Sequence, residues 1–307
     1  MHIDETEKEF SIQAPWGTIV GLTWGDSSLP PVLLVHGKLD VCSSFRSLVA
    51  LLPRSFYYVA IDLPGNGRSD PLPRGVRFTV MDYVPVISIV KEHYGWEKFM
   101  YVAHSFGTIV GKIYNIAYPE IITRVVELDP VPAYHTWPTT REGLRRWYHR
   151  YYDSYEPHKY HKFYGGLDGA PKYTYEKAQE MIMSSRSIPK EATENVLERC
   201  LEPAGDGLYR FTYDQRMKEV TILPFSGEHL RRIYTTCTTP TFAVLAQSVI
   251  DIGLYETVPF ITDADCWPYR NYSFKIVDGG HDLHLNKPEA IAEDISKFLM
   301  AHLTSKL

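Results

Sequence analysis

The five residues Ala103-His104-Ser105-Phe106-Gly107 constrain this chain more than any other stretch of its 307 residues. They lie between a short apolar run at 98–103 and an apolar helical pattern at 108–114. A serine at such a strand-to-helix corner sits on a turn sharp enough to push its hydroxyl clear of the sheet. The positions two residues to either side must be small, because strand and helix nearly touch there. Gly107 meets that need, and Ala103 exceeds it by one methyl group.

Such a corner requires a sheet around it. Strand-like and helix-like stretches alternate from Phe10 to about Pro130 and again from about Thr239 onwards. Residues 10–14 and 17–24 read as a hairpin about Pro15 and Trp16. Residues 31–35 and 57–61 are continuous apolar runs of the kind found in strands buried on both faces, with a helical segment at 43–52 between them. Further strands are expected at 125–128, 241–245 and 272–277, and a last helix at 290–302. This order predicts an α/β fold, with a mostly parallel central sheet and helices on both faces. Residues 131–237 break the rhythm, being rich in tyrosine, histidine, arginine and tryptophan with helical patterns only. They are expected to form an inserted helical cap, leaving 1–130 and 238–307 as the core. A cap over the C-terminal ends of a parallel sheet encloses the place where such folds bind ligands.

Composition removes several alternatives. At 44% hydrophobic and 22% charged residues the chain reads as globular and ordered. A net charge of -5 gives no electrostatic reason to bind nucleic acid or an anionic membrane. Cys42, Cys200, Cys237 and Cys266 lack the close spacing of a zinc site or a disulfide framework and are read as free thiols. The acidic start, residues 1–7, is unlike a secretory signal, and no run approaches the roughly 18 apolar residues of a membrane span. Synthesis in the cytosol and an intracellular location are therefore expected. Ser305-Lys306-Leu307 match the terminal tripeptide read by the peroxisomal import receptor, so the expected destination is the peroxisome matrix.

A serine hydroxyl is inert until a base holds its proton and an acid orients that base. The best base is His281, because Gly279 and Gly280, directly after an expected strand, let the loop fold over the sheet edge. His284 is read as a packing or supporting residue. For the acid, the strand ending near Ala246 points to Asp251 as first choice; Asp129, which ends the strand before it, is the alternative, with Asp263 and Asp265 behind both. The oxyanion formed when serine attacks a carbonyl needs preorganised donors. The backbone N–H groups of Phe106 and of Lys38, in the loop His36-Gly37-Lys38-Leu39-Asp40, are the candidates, with His36 bracing that loop. Residues 62–70 look like a phosphate-cradling glycine loop but lack Gly-Lys-Ser, and are read as a structural turn. This chemistry requires neither a metal nor an organic cofactor.

Taken in order, His36-Gly37, the Asp-x-x-Gly-x-Gly-x-Ser segment at 62–69, the corner at 103–107 and Gly279-Gly280-His281 resemble the α/β-hydrolase family along the whole chain. Residues 14–17, 36–40 with 43–45, and 56–60 look most like its serine hydrolase-like branch, which is linked with peroxisomes. The resemblance implies a Ser-His-Asp triad and a cap, and it departs from the family pattern at Ala103 and at Lys38, where an aromatic residue often follows His-Gly. The expected function is hydrolysis of an ester-type bond in a lipophilic ester, lactone or acyl thioester through an acyl-enzyme. The alternatives are a small-molecule-binding protein on the same fold, or a carbon–carbon bond hydrolase using the same serine and histidine. Serine at the corner argues against dehalogenases and epoxide hydrolases, which use aspartate there.

Overall fold

A computed structural model describes residues 6–164 and 166–304; the terminal Ser305-Lys306-Leu307 and the first five residues lie outside them. Eight strands form one sheet in the spatial order β1 (Lys8–Ala14), β2 (Gly17–Trp24), β4 (Tyr57–Ile61), β3 (Pro31–Val35), β5 (Phe99–His104), β6 (Ile122–Leu128), β9 (Thr241–Ala246) and β10 (Tyr272–Val277). β1 and β2 pair antiparallel through the expected hairpin, with Ala14 opposite Gly17. β2 pairs antiparallel with β4, and every later pairing is parallel.

Burial explains which strands were easiest to read. All of β4, β5 and β9 is buried, so these strands are apolar at nearly every position. The edge strands β1 and β10 each carry both buried and exposed residues. Helices α2 (Val84–Tyr94), α3 (Phe106–Ala117) and α8 (Gly227–Thr235) pack together on one face, while α11 (Glu289–Thr304) packs against β6 and β9. The expected helix at 43–52 is shorter, a 3-10 turn at Cys42–Phe45 followed by α1 (Arg46–Val49).

Between β6 and β9 the chain forms α4 (Arg141–Asp153), α5 (Pro157–Tyr164), α6 (Tyr175–Arg186) and α7 (Lys190–Cys200). It also forms a small antiparallel pair, β7 (Leu201–Pro203) with β8 (Tyr209–Phe211). Strands of three residues are too short to leave a periodic signal. Ala178, Val196, Leu197, Phe211 and their neighbours make a second apolar cluster, joined to the core by Val41 and Leu285. α8 belongs to the main core instead, into which it inserts Leu230 and Tyr234.

One buried charge pair ties α3 to the sheet. Lys112 Nζ lies 2.9 Å from Glu127 Oε1, both side chains almost wholly buried, and the ammonium group sits over the rings of Tyr234 and Trp267 at 5.2 and 5.0 Å. Breaking such a pair strands a charge in a low-dielectric interior, whereas replacing both partners by apolar residues is far less costly. Lys112→Met is thus expected to lower unfolding free energy by about 3–5 kcal/mol, with much of the loss recovered in the Lys112→Met/Glu127→Leu double variant. Chemical denaturation of the three proteins checks this; equal stability of the single and double variants would contradict it.

Candidate active site

Most of the candidate residues gather at the C-terminal ends of the parallel strands, and the backbone is strained at two of them and at a loop residue beside them. Ser105, between β5 and α3, has φ 50° and ψ −116°. Asp129, just past β6, has φ 46°, and Leu39, in the loop after β3, has φ 58°. Positive φ outside glycine persists only where the surroundings hold it, and it clusters at functional sites. At Ser105 those surroundings are hydrogen bonds. Its N–H donates to Leu128 O at 3.0 Å, and its carbonyl accepts from Thr108 N–H at 3.0 Å and Thr108 Oγ1 at 2.6 Å. Ala103 lies fully buried inside β5, where its methyl group packs within the sheet.

The turn is pressed against the end of β3. A Cβ on Gly107 would stand 2.5 Å from Val35 O and 2.8 Å from His36 O, and one on Gly37 would stand 3.1 Å from Ser105 Cβ. The loop that carries the Lys38 N–H therefore touches Ser105, and the Phe106 N–H opens α3, where no preceding turn offers it a carbonyl. Gly107→Ala is expected to cost about 1–3 kcal/mol by overpacking and to reduce activity, because strand and turn must separate. A thermal unfolding midpoint equal to that of the wild type would refute the close packing inferred here. His36 braces the loop as expected: its Nε2 accepts from Leu63 N–H at 2.9 Å, so Nδ1–H donates to Gly37 O at 2.6 Å.

His281 meets Asp129, not Asp251. Its Nδ1–H donates to Asp129 Oδ2 at 2.5 Å. The other oxygen, Oδ1, accepts from Ala246 N–H and from the Tyr255 hydroxyl, both at 2.8 Å. Asp129 is thus fixed by three donors and fully buried. The choice of Asp251 is corrected because β9 runs directly into a short helix, α9 (Gln247–Asp251), with no loop turning back. Asp251 ends that helix exposed to solvent and accepts from Gln247 Nε2 at 2.7 Å. Asp263 caps its own local turn by accepting from Asp265 N–H at 3.0 Å.

Burial lowers the pKa of His281, but the hydrogen bond and charge of Asp129, together with the charge of Asp282, outweigh it and leave the ring above the ordinary imidazole value. The proton on Nδ1 leaves Nε2 as the free base. Ser105 and His281 both line a cavity of about 320 Å3, and among the described residues no hydrogen bond joins the Ser105 hydroxyl to the ring. Leu39, Met181, Ile182, Phe211 and Tyr213 give this cavity an apolar wall drawn mostly from the inserted segment. The Lys38 ammonium donates to Lys218 O at 3.3 Å; burial and Arg150 lower its pKa, partly opposed by Glu219.

Three contributors carried no sequence signal. Tyr255 reaches Asp129 across 126 positions of chain. His135 lies buried beside Phe106, its pKa pushed down to about 4 by burial and by the charge of Lys38. Arg186, which reads from sequence as an ordinary basic helix end, bridges Asp40 and Asp282. A larger cavity of about 530 Å3 lies beside the 62–70 turn and contains none of the candidate residues. Its arginines are largely committed to carboxylates, as in Arg199 with Asp62 at 2.7 Å and Arg216 with Asp214 at 2.6 Å. The turn itself is structural: Asp62 accepts from Cys42 N–H, Arg68 N–H and Arg199, and a Cβ on Gly67 would fall on its carboxylate.

Comparison with known proteins agrees with the fold. The family described as alpha/beta hydrolase fold matches residues 30–199. A serine hydrolase-like protein of Danio rerio is 30% identical over 302 residues, covering 95% of this chain and 88% of its own length. Serine hydrolase-like protein 2 of Homo sapiens is 28% identical over 302 residues, covering 95% and 93%. The crystal structure of the hypothetical protein PA1622 from Pseudomonas aeruginosa PAO1 superposes with a TM-score of 0.77 at 26% identity, covering 97% of this chain and 99% of that one. With a family match over more than half its length and full-length relatives of that name, the chain belongs to the α/β-hydrolase family, among its serine hydrolase-like proteins.

Proposed function

We propose that the protein is a serine hydrolase that cleaves a carboxylic ester-type bond in a lipophilic ester, lactone or acyl thioester. The observation that carries this reading is the Asp129–His281 hydrogen bond at the edge of a cavity shared with a strained Ser105. Asp129 fixes the tautomer in which His281 Nε2 is unprotonated. Nε2 takes the Ser105 proton as Oγ attacks the carbonyl carbon, and the N–H groups of Phe106 and Lys38 receive the oxyanion. The protonated His281 then hands that proton to the leaving group, and a water deprotonated by the same ring releases the acid from the acyl-enzyme. Catalytic hydrogen bonds are commonly longer before substrate binds, which fits a serine and histidine that line one cavity without a hydrogen bond between them. The apolar wall favours a lipophilic acyl group.

Rapid-quench mass spectrometry on an activated ester tests the reading. The expected result is a covalent adduct on the peptide containing Ser105 that decays with turnover. Turnover without any adduct, or an adduct elsewhere, would contradict it.

A further inference from the structure

Directly behind the Ser105–His281 pair lies a group of polar side chains that the proposed chemistry does not use. Asp40, His104 and His284 are 2%, 2% and 0% exposed, and one polar atom from each lies within 4.8 Å of the others. Four of their atoms, Asp40 Oδ2, His104 Nδ1 and both ring nitrogens of His284, have no hydrogen-bond partner among the described residues. His284 Nε2 lies 3.8 Å from Asp40 Oδ2, too long for a hydrogen bond. Buried polar atoms without partners are costly, so a native protein normally supplies them with a partner, either ordered water or a bound ion.

The donor set is that of a borderline divalent cation. His104 donates its Nε2–H to the carbonyl of His281 at 3.0 Å, which leaves the Nδ1 lone pair free. A backbone carbonyl on the second nitrogen is the arrangement that orients metal-binding histidines. The charge also suits a cation. Arg186 is shared between Asp40 and Asp282, at 2.7 Å from Asp40 Oδ1 and, through Nε, 3.0 Å from Asp282 Oδ1. Its histidines aside, the cluster sets two carboxylates, Asp40 and Asp282, against the single guanidinium of Arg186. Asp40 and His104 line the 320 Å3 cavity, which gives an ion a way in.

We propose that Asp40 Oδ2, His104 Nδ1 and a ring nitrogen of His284 form a binding site for a zinc-class divalent cation, completed by a water on the cavity side. At metal–ligand distances of about 2.0–2.2 Å the three side chains draw in by roughly an ångström. A bound ion grips the serine turn, the loop beside the oxyanion donors and the helix after His281 together, so it holds the site in a less responsive state. This consequence rests on the proposed function; the binding itself does not.

Isothermal titration of zinc ion into the full chain carrying Ser105→Ala, which needs no catalysis, tests the site. The expected result is one ion per chain, weakened more than about 100-fold by His284→Gln and by Asp40→Asn, beyond the loss usual for supporting residues. Circular dichroism confirms that each variant is folded, and visible absorption of a cobalt-substituted sample reports nitrogen ligation. No binding, or binding that survives both substitutions unchanged, overturns the proposal and leaves a water-bridged cluster in its place, while the hydrolase reading stands or falls on Ser105 alone.

Discussion

Asp129→Asn is expected to lower kcat about ten-thousand-fold, the loss typical when the acid of such a triad is neutralised. An asparagine amide occupies the same space, but it no longer enforces the tautomer with Nδ1 protonated and does not stabilise the imidazolium that forms as Ser105 attacks. The pH profile separates this from a folding defect. His281 acts as a base, so activity falls as pH drops through its pKa, and in the wild type that limb lies above the ordinary imidazole value because Asp129 outweighs burial. Removing the Asp129 charge leaves burial dominant, so residual activity is expected to show its acid limb displaced to lower pH. Asp251→Asn, on an exposed helix end, is expected to stay within about twofold of the wild type, as an exposed site far from the chemistry should. Steady-state rates against pH for the three proteins decide the point; a severe loss in Asp251→Asn with a normal Asp129→Asn would reverse the assignment.

Arg186→Met is expected to be the most destabilising single change near the site, by about 3–5 kcal/mol. This arginine ends α6 and ties the inserted segment to the core beside the site. It bonds Asp40, beside the oxyanion loop, and Asp282, beside His281, with both carboxylates nearly buried. Without it two buried negative charges remain, and burial is costly for each. The sign with pH follows from Asp40. Burial raises its pKa, but the charge of Arg186 holds it well below the usual carboxylate value. The stability this gives is present above the unfolded carboxylate pKa of about 3.9 and is lost as pH falls through the folded value. The gap between wild type and Arg186→Met is therefore largest near neutrality and narrows in acid. Urea unfolding at both pH values measures it, and a gap that widened in acid would contradict the account.

Much of the fold was legible because its strands are buried on both faces. β3, β4, β5 and β9 announce themselves as unbroken apolar runs, and β10 is bounded as the pattern indicated. The serine and the histidine were legible for a local reason: small residues around Ser105 and paired glycines before His281 are demands of backbone geometry that a sequence displays directly. The acid was not. Whether a strand ends in a loop or in a helix is decided at Ala246, and the turn of α9 carries Asp251 away while the end of β6 presents Asp129. Nor do residues 40, 104 and 284, or Arg186 with its two aspartates, have any sequence proximity to betray them. Their meeting is a product of tertiary closure over the C-terminal ends of the strands.

The most direct test of the central claim is labelling of the folded protein by a fluorophosphonate, which reacts with an activated serine whatever the natural substrate. The account predicts labelling of the wild type at Ser105, its loss in Ser105→Ala and in His281→Ala, and slow labelling in Asp129→Asn. A folded wild type that does not label, or a His281→Ala protein that labels as fast as the wild type, would contradict it.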